Sequence, residues 1–260
     1  MASLSVTIIT YNEASRIEAC LKSVKQVADE IVVVDANSTD ATVDICRRYG
    51  CRVTRRAFTG FGAQRQFVTS LTTHSYVLSV DADEVLSPEL IDSILRLKKE
   101  GFAHRVYRMA RLNFYCGRPV KHCGWYPDYQ LRLFDKRYAN WNLSGVGERV
   151  IFPGSFNPVI IPGDLLHHRC TTPEEYRAVQ QRHASLEGAQ IAISGRAVSP
   201  LTPLLRGASA FIGMYVGHRA ILDGSIGLTI SRQSFSAAFT AYAVARSLRR
   251  KGLATASSMQ

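Results

Sequence analysis

Four short, largely apolar runs near the start of the chain, separated by amphipathic stretches, govern what this sequence can fold into. They are Val6 to Thr10, Ile31 to Val34 closing at Asp35, Cys51 to Val53, and Tyr76 to Val80 closing at Asp81. Runs without polar alternation mark strands that are covered on both faces. Between them Ile17, Leu21, Val24 and Ala28 share one helical face, as do Val43 and Cys46, and another helix is expected near Ala63 to Leu71. Ser87-Pro88 opens a further helix and Gly101 closes it. Asn12 and Asp40 read as helix caps. Strands alternating with helices predict an α/β fold, with a mostly parallel sheet flanked by helices and right-handed crossovers. Such sheets bind ligands outside the carboxyl ends of their strands. Those ends are Thr10-Tyr11-Asn12-Glu13, Asp35-Ala36-Asn37 and Asp81-Ala82-Asp83-Glu84, so a ligand is expected there.

The pattern changes after about residue 103. Arg105 to Met109 and Gln130 to Phe134 alternate with a two-residue period, as half-buried strands do. Thr172-Pro173-Glu174-Glu175 is a capping box that starts a helix reaching about Ile193. The expected organisation is one α/β domain over 1–170, with halves at 1–100 and 101–170 to which the resemblance described below assigns nucleotide-sugar binding and acceptor binding within a catalytic domain. A basic helical extension over 171–251 and a disordered tail over 252–260 follow.

Composition excludes several classes. The 260 residues carry 32 Lys+Arg against 21 Asp+Glu, a net charge of +11. No helix-turn-helix, zinc-finger or RNP pattern accompanies that charge, so no nucleic-acid partner is expected. Six scattered cysteines, with no C-x-x-C pair, predict reduced and mostly buried thiols. The N-terminus lacks a signal-peptide pattern, and the apolar run Ala208 to Gly217 is about half a bilayer span.

Asp81-Ala82-Asp83 is the sharpest chemical signal. In an extended segment residues i and i+2 point the same way, so two carboxylates can share a divalent cation, Mg²⁺ or Mn²⁺, held against a phosphate. Asp35 either accepts from a nucleotide or caps the turn that follows it; the residues alone leave both open. No G-x-G-x-x-G follows a strand, which excludes a dinucleotide oxidoreductase. A nucleotidyltransferase would carry a Gly-rich, Arg-bearing loop where this chain has Thr-Tyr-Asn-Glu, and a D-x-D phosphatase would want its Asp after the first strand.

Taken in order, Ile8 to Glu13, Ile31 to Asp40 and Val80 to Glu84 resemble the family 2 glycosyltransferases, which have a GT-A fold; the resemblance covers roughly residues 4–100. It implies that Thr10, Tyr11 and Glu13 line a nucleotide pocket and that Asp35 contacts a uridine. It also implies that Asp81 and Asp83 act at a pyrophosphate through a metal, and that Arg65 is a basic residue near the nucleotide. Gly124 to Phe134, Glu148-Arg149-Val150 and Leu222 to Leu228 are similar to the lipopolysaccharide-core subgroup, whose members transfer glucose to an inner-core sugar. The subgroup has His before this Glu, where the present chain has Gly147.

The resemblance implies an inverting transfer from a UDP-hexose to a lipid-linked saccharide. Such a displacement needs a base for the acceptor hydroxyl and a cation for the departing diphosphate. Glu148 is the first candidate base and Asp128 the second. His168 would complete a metal shell by resemblance, or it caps the next helix. His183 and His218 read as packing or surface residues. Leu204, Leu205, Ala208, Phe211, Ile212 and Tyr215 share helical spacing beside Arg206 and Arg219. That pattern suits an anionic membrane surface, or packing on the catalytic domain or in a homo-oligomer. The expected location is the cytoplasmic face of an inner membrane.

Overall fold

The computed structural model describes residues 2–143, 148–195 and 197–250. Gly147 and the 252–260 tail lie outside them. The chain divides into two compact units, Met1–Leu112 with Asp128–His167, and Asn113–Pro127 with His168–Gln260. Segment 113–127, expected within the first domain, groups with the C-terminal helices because Val120 and Cys123 pack against Tyr176 and Ile230.

In the first unit β1 (Leu4–Thr10), β2 (Glu30–Asp35), β3 (Arg52–Arg55) and β4 (Tyr76–Asp81) pair in parallel in the order β3-β2-β1-β4. They alternate with α1 (Ile17–Val24), α2 (Thr42–Arg48) and α3 (Phe61–Ser70). Along the chain then come β5 (Glu84–Leu86), α4 (Pro88–Glu100), β6 (Val106–Tyr115), β7 (Arg118–Pro119, within the second unit) and β8 (Asp128–Asp135). The series closes with β9 (Asn140–Trp141), β10 (Val150–Ile151) and β11 (Val159–Cys170). Beyond β4 the sheet runs β8-β6-β11-β5 and is antiparallel at β4/β8, β8/β6 and β11/β5. The α/β class read from the sequence forms as a mixed sheet, parallel where unbroken runs predict it and antiparallel where residues alternate.

Side-chain alternation divides the core. Val6, Ile8, Val33, Leu78 and Val80 face α1, α2 and α4 through Leu21, Ile45 and Leu90. Val32 and Val34 meet Val68 of α3 on the opposite face. Each such side chain, fully buried, contributes about 1.5–3 kcal/mol. Ser87 caps α4 by accepting from Leu90 N–H at 3.2 Å, and Gly101 ends it at φ +87°. These are the boundaries expected.

One connection shapes the site. Only Ala82 and Asp83 separate β4 from β5, which sits four strands further along the sheet. Three residue steps reach about 11 Å, whereas four strand spacings on a flat sheet are about 19 Å. The sheet of this unit therefore curls, and the Asp-Ala-Asp segment lies at the closure.

The second unit contains α5 (Pro173–Ile193), α6 (Thr202–Ile212), a π-helical turn (Gly213–Gly217), a 3₁₀ turn (Ala220–Asp223) and α7 (Gly224–Arg250). Thr172 caps α5 as predicted, accepting from Glu175 N–H at 3.1 Å. Helix α7 starts close against the 3₁₀ turn; a Cβ on Gly227 would lie 1.7 Å from the Ala220 carbonyl oxygen. All six cysteines are free thiols. Burial pushes the Cys46 thiol up to about 12 and that of Cys51 to about 11, which leaves both inert. Among the described residues no helix is long and apolar enough to cross a membrane.

Candidate active site

Two strand-end loops are laced together by side chains. Asn12 N–H donates to Ser38 Oγ at 2.8 Å, Glu13 N–H to Thr42 Oγ1 at 2.8 Å and Ala14 N–H to Asp40 Oδ2 at 3.1 Å. In return Thr39 N–H donates to Asn12 Oδ1 at 2.8 Å. Asn12 is thus a tie between loops, at φ +53°, rather than the cap of α1, whose N-cap is Arg16. Asp40 does serve the start of α2, accepting from Thr42 N–H at 3.0 Å. Polar side chains here satisfy amide donors that leave the parallel ladder.

These loops border a cavity of about 400 Å³. Thr10, Tyr11, Glu13 and Arg65 line it, together with Asp81, Asp83 and Glu148. Seven of the ten sequence candidates therefore converge on one space. Phe58 and Phe61, not anticipated from the sequence, also line it and pack edge to face at 4.9 Å.

The two aspartates have different fates. Asp81 Oδ1 accepts from Arg65 Nη2 at 2.6 Å and its Oδ2 from Arg132 Nη2 at 2.7 Å. Burial opposes its ionisation, but the Arg132 and Arg65 charges outweigh that and hold its carboxyl well below the usual range. The same Arg132 bonds the fully buried Glu84 at 3.2 Å, and Glu84 accepts from the Asp81 N–H at 2.9 Å. Burial alone would lower the Arg132 value; Asp81 and Glu84 raise it instead. The Trp141 ring lies 4.7 Å from the Arg65 guanidinium and 5.8 Å from that of Arg132.

Asp83 has no guanidinium against it among the described ion pairs; its Oδ2 sits 3.2 Å from His167 Nε2. His167 lines the cavity, whereas the predicted ligand His168 is exposed, with its ring 4.9 Å from Phe114. Of the two sequence readings of His168, its place against Phe114 and outside the cavity matches a residue packed near the surface. Successive residues of β11 point to opposite faces, and His167 shares the parity of the buried Ile161 and Leu165 and pairs with Glu84. Among the described residues no three His, Cys, Asp or Glu side chains gather as a closed metal cage.

Two other candidates lie elsewhere. Asp35 is fully buried and does not line the cavity; its carboxylate accepts from Ser38 N–H at 2.9 Å and from the Ser38 hydroxyl. Asp35 thus caps the turn that follows β2. Asp128 Oδ2 is gripped by Arg111 Nε at 2.8 Å and Nη2 at 2.6 Å, while Gln130 donates to Oδ1 at 2.6 Å. These contacts engage both carboxylate oxygens of Asp128, and it does not line the cavity. Glu148 has a looser contact, 3.6 Å from Arg65 Nε, and borders the cavity.

The sequence matches the family described as glycosyl transferase family 2 over residues 5–146. The chain belongs to the family 2 glycosyltransferases. Among its relatives, one from Rhizobium meliloti named lipopolysaccharide core biosynthesis glycosyltransferase LpsC is 28% identical over 206 residues, 74% of this chain and 73% of that one. An uncharacterized glycosyltransferase of Rickettsia typhi, RT0209, is 35% identical over 150 residues, 54% of this chain and 49% of the relative. One from Rickettsia felis is 45% identical over 94 residues, 36% and 33% of the two chains. Matches to the rickettsial proteins span 31% to 49% of their lengths. Glucosyl-3-phosphoglycerate synthase of Mycobacterium tuberculosis, solved with Mn²⁺, UDP and glucosyl-3-phosphoglycerate, aligns over 44% of each chain at 21% identity and a TM-score of 0.36.

Proposed function

We propose that this glycosyltransferase moves a hexose, glucose by our reading, from UDP to a lipid-linked saccharide of the lipopolysaccharide-core type, with inversion at the sugar carbon. The observation carrying the reading is the asymmetry of the D-x-D segment. Asp81 is neutralised by two guanidiniums, while Asp83 faces the cavity beside His167.

Charge argues for a divalent cation. Around the site the carboxylates of Asp81, Asp83, Glu84, Asp128 and Glu148 face the guanidiniums of Arg65, Arg111 and Arg132, an excess of two negative charges. A diphosphate entering such a site would be repelled unless a cation accompanied it. Asp83 and His167 offer one carboxylate and one imidazole, a donor set that fits Mg²⁺ or Mn²⁺, which keep positions for phosphate oxygens and water. Held there, the ion would supply charge neutralisation to the departing diphosphate.

The remaining chemistry belongs to the chain. Tyr11, Phe58 and Phe61 offer aromatic surface to a base, and Thr10 and Glu13 shape the pocket beside them. Asp81 positions Arg65, whose other edge faces Glu148. Glu148 takes the acceptor hydroxyl proton as the acceptor oxygen bonds to the sugar carbon and the bond from that carbon to the diphosphate breaks. Asp128 remains with Arg111 and has no part in the proton transfer. The acceptor is met at the cytoplasmic surface of a membrane.

The test is a thermal-shift panel of UDP-, GDP- and dTDP-hexoses with and without Mn²⁺, followed by transfer to a deacylated core oligosaccharide. Selective, Mn²⁺-dependent stabilisation by UDP-hexose is expected. Glu148→Gln should keep that stabilisation and lose transfer. Full transfer by Glu148→Gln, or stabilisation indifferent to Mn²⁺ and to the base, overturns the reading.

A further inference from the structure

Sugar transfer leaves the surface of α6 without an explanation. This helix has two apolar faces. Pro203 and Gly207 are buried, and a Cβ on Gly207 would come within 2.9 Å of the Phe235 ring of α7. On its other side Leu201 and Leu205 are each 65% exposed, and Leu204 and Ile212 are exposed as well. Val216 in the π-helical turn continues the series, followed by Ile221 and Leu222. A surface helix in water ordinarily turns one apolar stripe inward and a polar face outward. A series of exposed aliphatic side chains of this kind marks a contact.

The charge nearby says with what. Residues 188–222 contain no Asp or Glu, and Arg206 and Arg219 lie within the apolar series. A groove of about 470 Å³ opens beside α6, lined by Pro200, Pro203, Phe239 and Ala243 together with Arg246 and Arg250. The two arginines stand one helical turn apart on α7 and share a face. Neither has a carboxylate partner among the described residues. Asp223, the one acid of residues 188–250, bonds inward to His122 Nδ1 at 2.9 Å and to His122 N–H at 3.0 Å. Apolar walls with two unpaired guanidiniums match an anionic amphiphile, whose phosphate meets arginine while its chains meet leucine.

We propose that this face docks on an anionic membrane leaflet. Helix α6 lies in the interfacial plane with Leu201, Leu204, Leu205 and Ile212 among the acyl chains. The groove seats the phosphate of one phospholipid between Arg246 and Arg250. The mode is interfacial, because no described helix is apolar enough over its length to span a bilayer. The inference rests on the membrane half of the reading above and is independent of the transfer chemistry.

The experiment uses the full chain and vesicles of phosphatidylcholine, alone or mixed with phosphatidylglycerol. Wild type is expected to sediment with the mixed vesicles. Arg246→Gln/Arg250→Gln should weaken that partition by about thirtyfold, from the usual gain per basic group at an anionic surface, without altering affinity for phosphatidylcholine alone. Leu204→Glu/Leu205→Glu should abolish sedimentation with both. Both variants should keep the circular dichroism of the wild type and its stabilisation by UDP-hexose, which separates a failure of docking from a failure of the active-site reading. Wild type that stays in the supernatant, or a leucine variant that sediments like wild type, overturns the proposal. So does a dimer, seen by light scattering, that Leu205→Glu dissolves while vesicles have no effect, since the face would then seat a second copy.

Discussion

Replacing Arg132 by Met tests the electrostatic logic of the site most directly. The Arg132 side chain is 5% exposed and bonds Asp81 at 2.7 Å and Glu84 at 3.2 Å. At an effective dielectric of about 20 each contact is worth roughly 5–6 kcal/mol of attraction, most of it offset by desolvation of the three ions. Removing one partner leaves the carboxylates undercompensated, Glu84 with Arg111 at 3.4 Å and Asp81 with Arg65. Disrupting a buried pair in this way costs about 3–5 kcal/mol. With a urea slope near 2 kcal/mol/M, the midpoint should fall by about 2 M at pH 7. The assay is urea denaturation in a Trp125→Phe background, so that Trp141, which lies against both guanidiniums, is the single indole. Asp81 is more acidic in the fold than unfolded, so its stabilisation is complete above the ordinary carboxylate value and is lost as pH falls through the lowered one. Without Arg132 that loss starts at higher pH, and the acid-unfolding midpoint should rise. Adding Glu84→Gln to Arg132→Met should restore about 1–2 kcal/mol by removing the stranded charge. A loss below about 1 kcal/mol at pH 7, with an unmoved acid midpoint, would refute the reasoning, because the carboxylates would then be solvated without Arg132.

Three further outcomes are expected. His167→Ala should remove most of the Mn²⁺-dependent part of the UDP-hexose thermal shift, and Asp83→Ala should do the same, while His168→Ala leaves it intact. Asp128→Asn should retain transfer within about tenfold, as a proton acceptor would not, since losing a general base typically costs about 10²–10⁴ in rate; steady-state kinetics on a core oligosaccharide distinguishes the two. Gly227→Ala, whose Cβ would meet the Ala220 carbonyl oxygen at 1.7 Å, should destabilise the helical unit by about 1–3 kcal/mol, measured by Trp125 fluorescence during denaturation.

What the sequence determined is local. Unbroken apolar runs and short connections require parallel strands with their polar ends on one side, which by itself puts Thr10, Glu13, Asp81 and Asp83 at one edge. The Ser87 and Thr172 caps and the Gly101 stop depend on neighbouring residues alone, and they form where read. What the tertiary structure decided is which charges remain available. Asp81 meets Arg65 from 16 residues away and Arg132 from 51, and the grip of Arg111 on Asp128 spans 17. Strand alternation suggests an outward Arg132, yet the curled sheet buries it against Glu84. The choice between His167 and His168 is equally non-local. Adjacent residues of a strand are chemically alike on paper, and only the pairing of β11 with β5 fixes which of them turns toward Asp83.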